Sequence, residues 1–396
     1  MEILKTVWII FHFFMAFYFI LPVLLLLIKL VRRADKPSNP IIREFDYAVI
    51  ITAYQQTNLL PALVDSALKL NYSNYLIYIV ADNCDISNLN FNSDKVVLLR
   101  PEHTLASNTK SHFHAIHNFK RPHEILTIID SDNLVSPEYL NELNHFFADG
   151  YVAVQGVRQA KNLNTSYACL DEAGDIYYRF IDRKLLFECG SSASLAGSGM
   201  AFTTQLYRDC LETIEIEGAG FDKVLQMQIL KRGYRIAFAE KAIVFDEKTA
   251  KSNQLVNQRA RWINTWFKYS GEGVKLIGRG LVNLNRNQFF CGLVFSRPPL
   301  FMLALVTVIG VFVDVVLLPE MLYFWGIAII CFLAVFFAAL SYFKAPGIIY
   351  KALVNIPKFI FLQILSLLKA KRANEISVAT VHYSDQHIDE VENSIK

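Results

Sequence analysis

Residues 6–28 form an almost unbroken apolar run, and this run restricts the fold more than any other feature of the chain. A helix of this length can cross the hydrocarbon core of a bilayer, which is about 30 Å thick. A signal peptide would have a shorter apolar core, followed by small residues at a cleavage site, and neither is found here. The sequence therefore predicts an uncleaved membrane anchor.

Positive residues follow this run directly, at Lys29, Arg32, Arg33 and Lys36. Positively charged flanks of membrane helices stay on the cytoplasmic side. We therefore expect an integral protein of the plasma (inner) membrane, whose residues after the anchor form a cytoplasmic domain.

Two further apolar segments, residues 300–318 and 321–343, lie near the carboxyl-terminal end. Their lengths predict a pair of membrane-spanning helices, joined through Pro319 and Glu320 on the outer side. Asp314 is an acid within the first segment. Such an acid can mark a functional path, but we expect Asp314 near the outer end, where it reaches water.

Residues 345–370 are apolar but carry regularly spaced lysines. The intervals stack these lysines on one face of a helix: Lys344, Lys351, Lys358 and Lys369. Pro346 and Pro357 argue against one unbroken span. We interpret the segment as one or two amphipathic helices in the cytoplasmic interface, with a fourth, imperfect span as the alternative.

Composition supports this division of the chain. An apolar fraction of 53% with 19% charged residues is too apolar for a purely soluble enzyme, and the excess lies at the two ends. The net charge of +3 gives no case for nucleic-acid binding, and the six cysteines show no CxxC spacing of a zinc site. The predicted units are an anchor (1–33), a soluble domain (34–285), a membrane hairpin (286–343) and interfacial helices with a tail (344–396).

The middle of the chain alternates strand and helix patterns. Continuous apolar runs at residues 47–54, 75–82, 95–100 and 124–130 predict strands buried on both faces, separated by helical spacing. This rhythm predicts an α/β fold with a Rossmann-like, mainly parallel sheet. Ligands bind at the carboxyl ends of such strands, so Asp82 and Asp130 are expected to face one crevice.

Asp130 and Asp132 form an Asp-x-Asp pair directly after a predicted buried strand. Read alone, the pair is either a polar turn or a site for a cation, because neighbouring carboxylates repel each other. Its position near Asp82 favours the cation site. Carboxylate oxygens suit Mg²⁺ or Mn²⁺, which proteins hold with one or two carboxylates together with substrate phosphates.

Residues 47–267 resemble the family-2 glycosyltransferases, in particular the membrane-bound branch of cellulose, chitin and hyaluronan synthases. Six motifs agree in order: VADNCD, KSHFHAIHN, DSD, GSGMAF, GFDKVLQMQILKRGYRIAF and QRARW. The last fits a Gln-x-x-Arg-Trp signature and is the most specific of the six. The resemblance implies a GT-A fold and an inverting enzyme that uses a nucleotide-activated sugar.

The resemblance also implies roles for individual residues. Asp82, Lys110, Asp130, Gln258 and Arg261 would bind the donor. Asp132, supported by Asp130, would ligate the metal ion.

The remaining implied roles concern the acceptor and the chemistry. Gly199, Met200 and Trp262 would contact the acceptor. Asp222 resembles the general base, although Phe221 stands where the family usually has a Glu.

Several of these residues have structural alternatives. Asp222 is also a plausible helix N-cap, and Asp82 a turn cap. Trp262 and Trp266, four residues apart, also fit a core stripe on a helix. Arg259 is expected on a solvated face. Three histidines are expected on a solvated helix rather than in a metal site: His112, His114 and His117.

The implied function is transfer of a sugar from a nucleotide diphosphate, with UDP as the expected nucleotide, to a saccharide or lipid-linked acceptor. Envelope or extracellular polysaccharide synthesis is the expected setting, with an oligomer or export partners as further possibilities. The alternatives are a nucleotidyltransferase on a similar sheet and a non-catalytic subunit of a polysaccharide synthesis complex. The complete set of Asp130, Asp132, Asp222 and Arg261 argues against the second alternative.

Overall fold

The protein is represented by a computed structural model. It describes residues 2–32, 43–216, 218–373 and 386–395. Arg33 and Lys36, which we predict to flank the anchor, lie outside the described residues.

The strands of the described residues form one sheet. They are β1 (Tyr47–Tyr54), β2 (Tyr75–Asp82), β3 (Val96–Leu99), β4 (Ile125–Asp130), β5 (Leu134–Val135), β6 (Ala153–Ala160), β7 (Met200–Thr203) and β8 (Ala237–Asp246). Their spatial order is β3-β2-β1-β4-β7-β6-β8-β5.

The helices cover both faces of the sheet and form the apolar segments that flank it. They are α1 (Glu2–Val31), α2 (Leu60–Leu68), α3 (Asn108–His117), α4 (Tyr139–Ala148), α5 (Ser166–Tyr178), α6 (Leu186–Glu188), α7 (Thr204–Leu211), α8 (Phe221–Lys231), α9 (Ser252–Val282), α10 (Arg286–Ser296), α11 (Leu300–Leu317), α12 (Leu322–Tyr342), α13 (Gly347–Ala352), α14 (Ile356–Lys369) and α15 (Ile388–Ile395). A π-helix, Arg179–Leu185, joins α5 to α6.

The sheet is mixed and mainly parallel, as the strand and helix pattern predicts. β1 lies between β2 and β4 and pairs in parallel with both. These strands are apolar and buried along nearly their whole length, because helices cover both faces of the sheet. β7 runs antiparallel to β4 and β6, and β5 runs antiparallel to β8.

Two hydrophobic layers hold the helices on the sheet. One face packs against α2 and α4, through residues such as Leu63 and Leu143. The other face packs against α3, α7 and α8, through residues such as Ile116, Tyr207 and Leu225. The edge of the sheet formed by the carboxyl ends of the parallel strands lies between these two layers.

Four helical segments of the described residues are long and apolar enough to cross a membrane: Lys5–Val31, Leu300–Leu317, Pro319–Tyr342 and Gly347–Lys369. The last has a mean hydropathy of 1.5, against 2.5 or more for the others. It is also interrupted by a 3₁₀ turn, Leu353–Asn355, between α13 and α14.

Asp314 of α11 is fully buried, so the expectation that it reaches water is wrong. Its carboxylate accepts hydrogen bonds from Trp8 Nε1 and Trp325 Nε1, both at 2.9 Å, and is in close contact with His12 Nε2. Donors on α1 and α12 therefore surround this acid, and they supply the hydrogen bonds that water would otherwise supply.

The sheet domain is joined to the membrane helices through α5 and the π-helix. The ring of Tyr177 lies 5.4 Å from Phe332, and the ring of Phe180 lies 5.6 Å from Tyr342. Tyr177, Phe180 and Phe332 belong to one hydrophobic cluster that also includes residues of α1. The junction therefore holds the sheet domain close to the end of α12.

Candidate active site

The acidic residues that end β2 and β4 lie at the same edge of the sheet. Asp82 is paired in register with Tyr54 of β1, and Asp130 is paired with Thr52 on the other side of that strand. The parallel topology thus brings the VADNCD and DSD motifs to one crevice.

The Asp82 carboxylate organises the loop before α3. Its Oδ1 accepts from the Leu105 amide at 2.9 Å, and its Oδ2 accepts from the Ala106 amide at 2.7 Å. Ala106 has a φ of 45°, a left-handed conformation that these bonds help to hold. The loop leads to Lys110, an exposed residue in the first turn of α3. Asp82 therefore shapes the approach to Lys110, a role that sequence reasoning missed.

The Asp130–Asp132 turn is tied to the residues before β7. Ser198 Oγ accepts from the Asp130 amide at 3.0 Å and donates to Asn133 Oδ1 at 2.5 Å. Asn133 Nδ2 in turn donates to Asp132 Oδ1 at 3.2 Å, and Lys161 Nζ donates to the Asp132 backbone carbonyl at 3.0 Å. The DSD and GSGMAF motifs therefore form one unit.

The carboxylates of this edge repel one another. Burial raises the pKa of Asp130 to about 7, and the like charge of Asp132 adds to this effect. The positive charge of Arg158 lowers the pKa of Asp130, while the charges of Asp246 and Asp222 raise it further. Arg158 and Asp246 are not identified as site residues from the sequence. Arg158 is a positive residue within the otherwise buried strand β6, and this position could have indicated its role.

This donor set fits a divalent cation that is bound together with a substrate. A group of three His, Cys, Asp or Glu side chains able to hold a metal ion is not found in the described part of the chain. Asp130 and Asp132 offer two carboxylates whose mutual repulsion a cation would relieve. Mg²⁺ typically takes its remaining ligands from water and phosphate oxygens.

Gly199 fits a position that other residues would strain. Its φ is 64°, and a Cβ there would lie 2.9 Å from Val244 Cγ2. The next residue, Met200, is fully buried within the core of the sheet domain. The structure therefore does not bring the Met200 side chain to the crevice.

Replacing Ser198 by Ala is expected to raise the KM for the metal-bound donor roughly tenfold. The loss of one hydroxyl leaves the Asp130 amide and Asn133 Oδ1 without this partner, at a cost of about 1–3 kcal/mol. Steady-state kinetics measures the effect. Ser73→Ala is the matched control, because its hydroxyl donates to Glu44 at the far, amino-terminal edge of the sheet. An unchanged KM for Ser198→Ala would contradict the proposed support.

Asp222 lies in the first turn of α8 but is not its N-cap. The N-cap is Gly220, with a φ of 104°, so the alternative of a capping role for Asp222 is wrong. The Asp222 side chain is 18% exposed, and its carboxylate lies 3.4 Å from Lys223 Nζ. Its charge contributes to the raised pKa of Asp130, so the two carboxyl groups lie near enough to interact.

Phe221 occupies an apolar slot beside His112. The two rings lie 5.2 Å apart, and His112 Nδ1 lies 2.7 Å from the hydroxyl of Tyr207. His112 is fully buried, so its assignment to a solvated helix face is wrong, and burial lowers its pKa to about 3. A Glu in place of Phe221 would face this neutral imidazole without solvent, which explains the apolar residue.

The Gln-x-x-Arg-Trp residues lie near the start of α9. Gln258 Oε1 accepts a hydrogen bond from Thr249 at 3.1 Å. Arg261 is half-buried, and burial lowers its pKa. Trp262 is 41% exposed and so retains a free surface.

Arg259 is not on a solvated face, contrary to the expectation from sequence. Its side chain is 13% exposed, forms an ion pair with the buried Asp171, and lies 4.3 Å from the Trp262 ring. Arg259 therefore fixes one face of Trp262 by a cation–π contact.

Comparisons with known proteins identify the family and the fold of the sheet domain. The family model described as "Glycosyltransferase like family 2" matches residues 45–265, more than half of the chain. A mannosyltransferase from Pyrobaculum calidifontis, solved with GDP-Man and Mn²⁺, is similar over 94% of this chain and 98% of its own, with a TM-score of 0.53 and 12% identity. This similarity shows a shared GT-A fold.

Structures of S. aureus TarS are less similar. One covers 54% of this chain and 39% of TarS, with a TM-score of 0.35 and 14% identity. A second, in complex with UDP, covers 58% of this chain and 65% of its own, with a TM-score of 0.38 and 14% identity. No curated protein sequence matches the chain. Since the family model covers the whole sheet and the start of α9, this chain belongs to the glycosyltransferase-like family 2.

Proposed function

We propose that this protein is a membrane-anchored, metal-dependent, inverting hexosyltransferase of the branch that includes cellulose, chitin and hyaluronan synthases. The observation that carries the proposal is the convergence of Asp130, Asp132 and Asp222 at the carboxyl edge of a GT-A sheet. The catalytic domain (34–285) would face the cytoplasm, between the anchor (1–33) and the hairpin (286–343). Residues 344–396 would provide the interfacial helices and the tail.

Donor binding is proposed for the residues around the DSD turn. Asp82 and Lys110 border the loop where the nucleotide would lie, and Asp130 and Asp132 would hold Mg²⁺ or Mn²⁺. The bound cation supplies positive charge to the β-phosphate as the sugar departs. Gln258 and Arg261 come from the opposite element, α9, and Arg261 adds a guanidinium for the same leaving group.

Asp222 is the proposed general base. It would accept the proton of the acceptor hydroxyl while that oxygen attacks the anomeric carbon opposite the departing diphosphate. One direct displacement inverts the anomeric centre. Trp262 offers an exposed ring face for a sugar of the acceptor, and the backbone at Gly199 is the second proposed acceptor contact.

The donor is proposed to be a nucleotide-activated hexose, with a UDP-sugar as the first candidate. The similar mannosyltransferase was solved with GDP-Man and one TarS structure with UDP, so both nucleotides enter the test. The acceptor is proposed to be a saccharide or a lipid-linked group used in envelope or extracellular polysaccharide synthesis.

Membranes containing the protein are expected to transfer label from one member of a panel of radiolabelled UDP- and GDP-sugars. Transfer should require Mn²⁺ or Mg²⁺ and stop with EDTA. Asp132→Asn should reduce it at least tenfold, because loss of a ligand charge weakens metal binding. The control is Asp94→Asn, which changes an exposed acid in the turn before β3.

Two results would count against the proposal. One is the absence of transfer from every donor in the presence of saccharide and lipid acceptors. The other is an Asp132→Asn variant with the activity and metal requirement of the parent.

A further inference from the structure

Buried ion pairs lie between the sheet and the helix formed by α5 and the π-helix. We call them the junction cluster. Each acid forms an ion pair with a basic residue: Asp171 with Arg259, Glu172 with Arg179, Asp175 with Lys248, Asp182 with Arg297, and Asp246 with Arg158. Lys248 also pairs with Glu172 and Asp246.

Arg183 is a further cation in this cluster, and no acid of the described residues forms an ion pair with it. Its Nε and Nη1 atoms are buried and have no hydrogen-bond partner within the described residues. Asp175 and Asp182 act on its charge, but they form ion pairs with Lys248 and Arg297. Arg183 is thus a guanidinium whose buried donors are unused.

Such a group is costly unless a partner is supplied from elsewhere. Desolvation lowers the pKa of Arg183 to about 10, which still leaves it charged at neutral pH. A buried charge without a counter-ion is destabilising, and unpaired buried donors add to the cost. Arg183 also lies on a π-helix, an element found frequently at functional sites. These features together point to an anion that binds during function.

The position of Arg183 suggests where that anion comes from. The guanidinium of Arg179, one turn earlier, lies 5.2 Å from the Phe343 ring, and Lys184 Nζ lies 4.5 Å from the Tyr342 ring. Both aromatic residues stand at the end of α12, a candidate membrane span. Arg183 therefore lies where a ligand held in the membrane would meet the sheet domain.

The same cluster reaches towards the DSD turn. The charge of Arg158 acts on Arg183 and also on Asp130. Arg158 therefore lies close enough to interact with both Arg183 and Asp130.

We propose that Arg183 binds a phosphate-class oxyanion, namely the phosphate of a lipid-linked acceptor, through its Nε and Nη1 donors. A guanidinium presents two parallel N–H groups that match phosphate oxygens. The inference rests on the proposed glycosyltransferase function and narrows its acceptor. The other source of the same chemistry is the diphosphate of the donor, and the experiment separates the two.

The test measures ligand-induced shifts in Tm for the full-length protein in phosphatidylcholine nanodiscs. The probes are a polyprenyl phosphate, the uncharged polyprenol, and UDP with Mn²⁺. Polyprenyl phosphate should raise the Tm of the wild type, and polyprenol should not. Arg183→Gln should weaken polyprenyl phosphate binding about 10- to 100-fold and leave binding of UDP with Mn²⁺ unchanged.

Arg179→Gln is the matched control, because it removes a guanidinium of the same helix that does have a partner, Glu172 at 2.9 Å. It should lower the Tm of the ligand-free protein, since it removes one of the two cations that form ion pairs with the buried Glu172. Arg183→Gln should leave the ligand-free Tm unchanged or raise it.

Four results would overturn the inference: no polyprenyl phosphate binding by the wild type, wild-type binding by Arg183→Gln, weaker binding of UDP with Mn²⁺ by this variant, or a fall in its ligand-free Tm like that of Arg179→Gln. Failure of the wild type to bind UDP with Mn²⁺ would instead count against the proposed donor site.

Discussion

Replacing Asp222 by Asn is expected to lower kcat by roughly 10²–10⁴-fold, the usual contribution of a general base. An amide of the same size keeps the shape of the site but cannot accept the acceptor proton. The fold should be retained, because the start of α8 is capped by Gly220 rather than by Asp222. The KM for the donor should change little, since the donor is held mainly by other residues.

Asp222 is a better candidate than the other acids of the crevice. Burial alone would raise the pKa of Asp246. The positive charges of Lys248 and Arg158 outweigh this effect and hold the pKa below its ordinary value, so Asp246 is a weak base. Asp130 is assigned to the metal ion. Asp222 is partly exposed and has a cation only at 3.4 Å, so its oxygens remain accessible to an acceptor hydroxyl.

Single-turnover and steady-state kinetics with the active donor measure the Asp222→Asn effect. The control is Asp209→Asn, the same substitution at an exposed position of α7, which should retain kcat within about twofold. If Asp222→Asn retains kcat at that level as well, the base must be another group and the assigned mechanism fails.

β1 and β2 could be predicted to the residue for a physical reason. β1 and β2 are apolar along their whole length because both faces of the sheet are covered, and polar residues mark their ends. β7 gave no such signal. It has four residues, and its place between β4 and β6 depends on contacts far apart in the chain.

The same distinction applies to the candidate site. The strand-end positions of Asp82 and Asp130 follow from parallel topology, which the pattern of alternating strands and helices reveals. The support of the DSD turn by Ser198 does not, because it joins residues 68 positions apart. His112 and Arg259 show the opposite error: polar side chains on a helix predict solvent, whereas Tyr207 and Asp171 are buried partners that only the fold supplies.

The position of Asp314 could not be predicted either, because the sequence shows an acid near the end of an apolar segment but not its neighbours. In the structure, two indole donors and one imidazole surround the carboxylate. His12 Nδ1 lies 2.6 Å from the Trp8 carbonyl and Nε2 contacts Asp314, so both ring nitrogens face acceptors. His12 Nε2 and the Asp314 carboxylate therefore form a buried hydrogen-bonded pair.

Replacing Asp314 by Ala is expected to destabilise the protein by about 3–5 kcal/mol, the range found when one partner of a buried ion pair is removed. His12, Trp8 and Trp325 would all keep polar groups in an apolar environment without their acceptor. Because these residues belong to α1 and α12, the association of three helices should weaken. Unfolding of the purified protein in detergent, followed by near-UV circular dichroism, measures the loss.

Two variants distinguish a specific stabilising role of the His12–Asp314 pair from a general effect of altering these helices. Glu320→Ala removes the exposed ion pair with Lys5, which joins α1 to the same hairpin at 3.7 Å, and should cost no more than about 1 kcal/mol. The double variant His12→Phe, Asp314→Leu replaces both members of the pair by apolar groups and should recover much of the stability lost in Asp314→Ala. An Asp314→Ala variant as stable as Glu320→Ala would show that the buried pair does not hold the helices together. A double variant less stable than Asp314→Ala would show that His12 contributes independently of its acid.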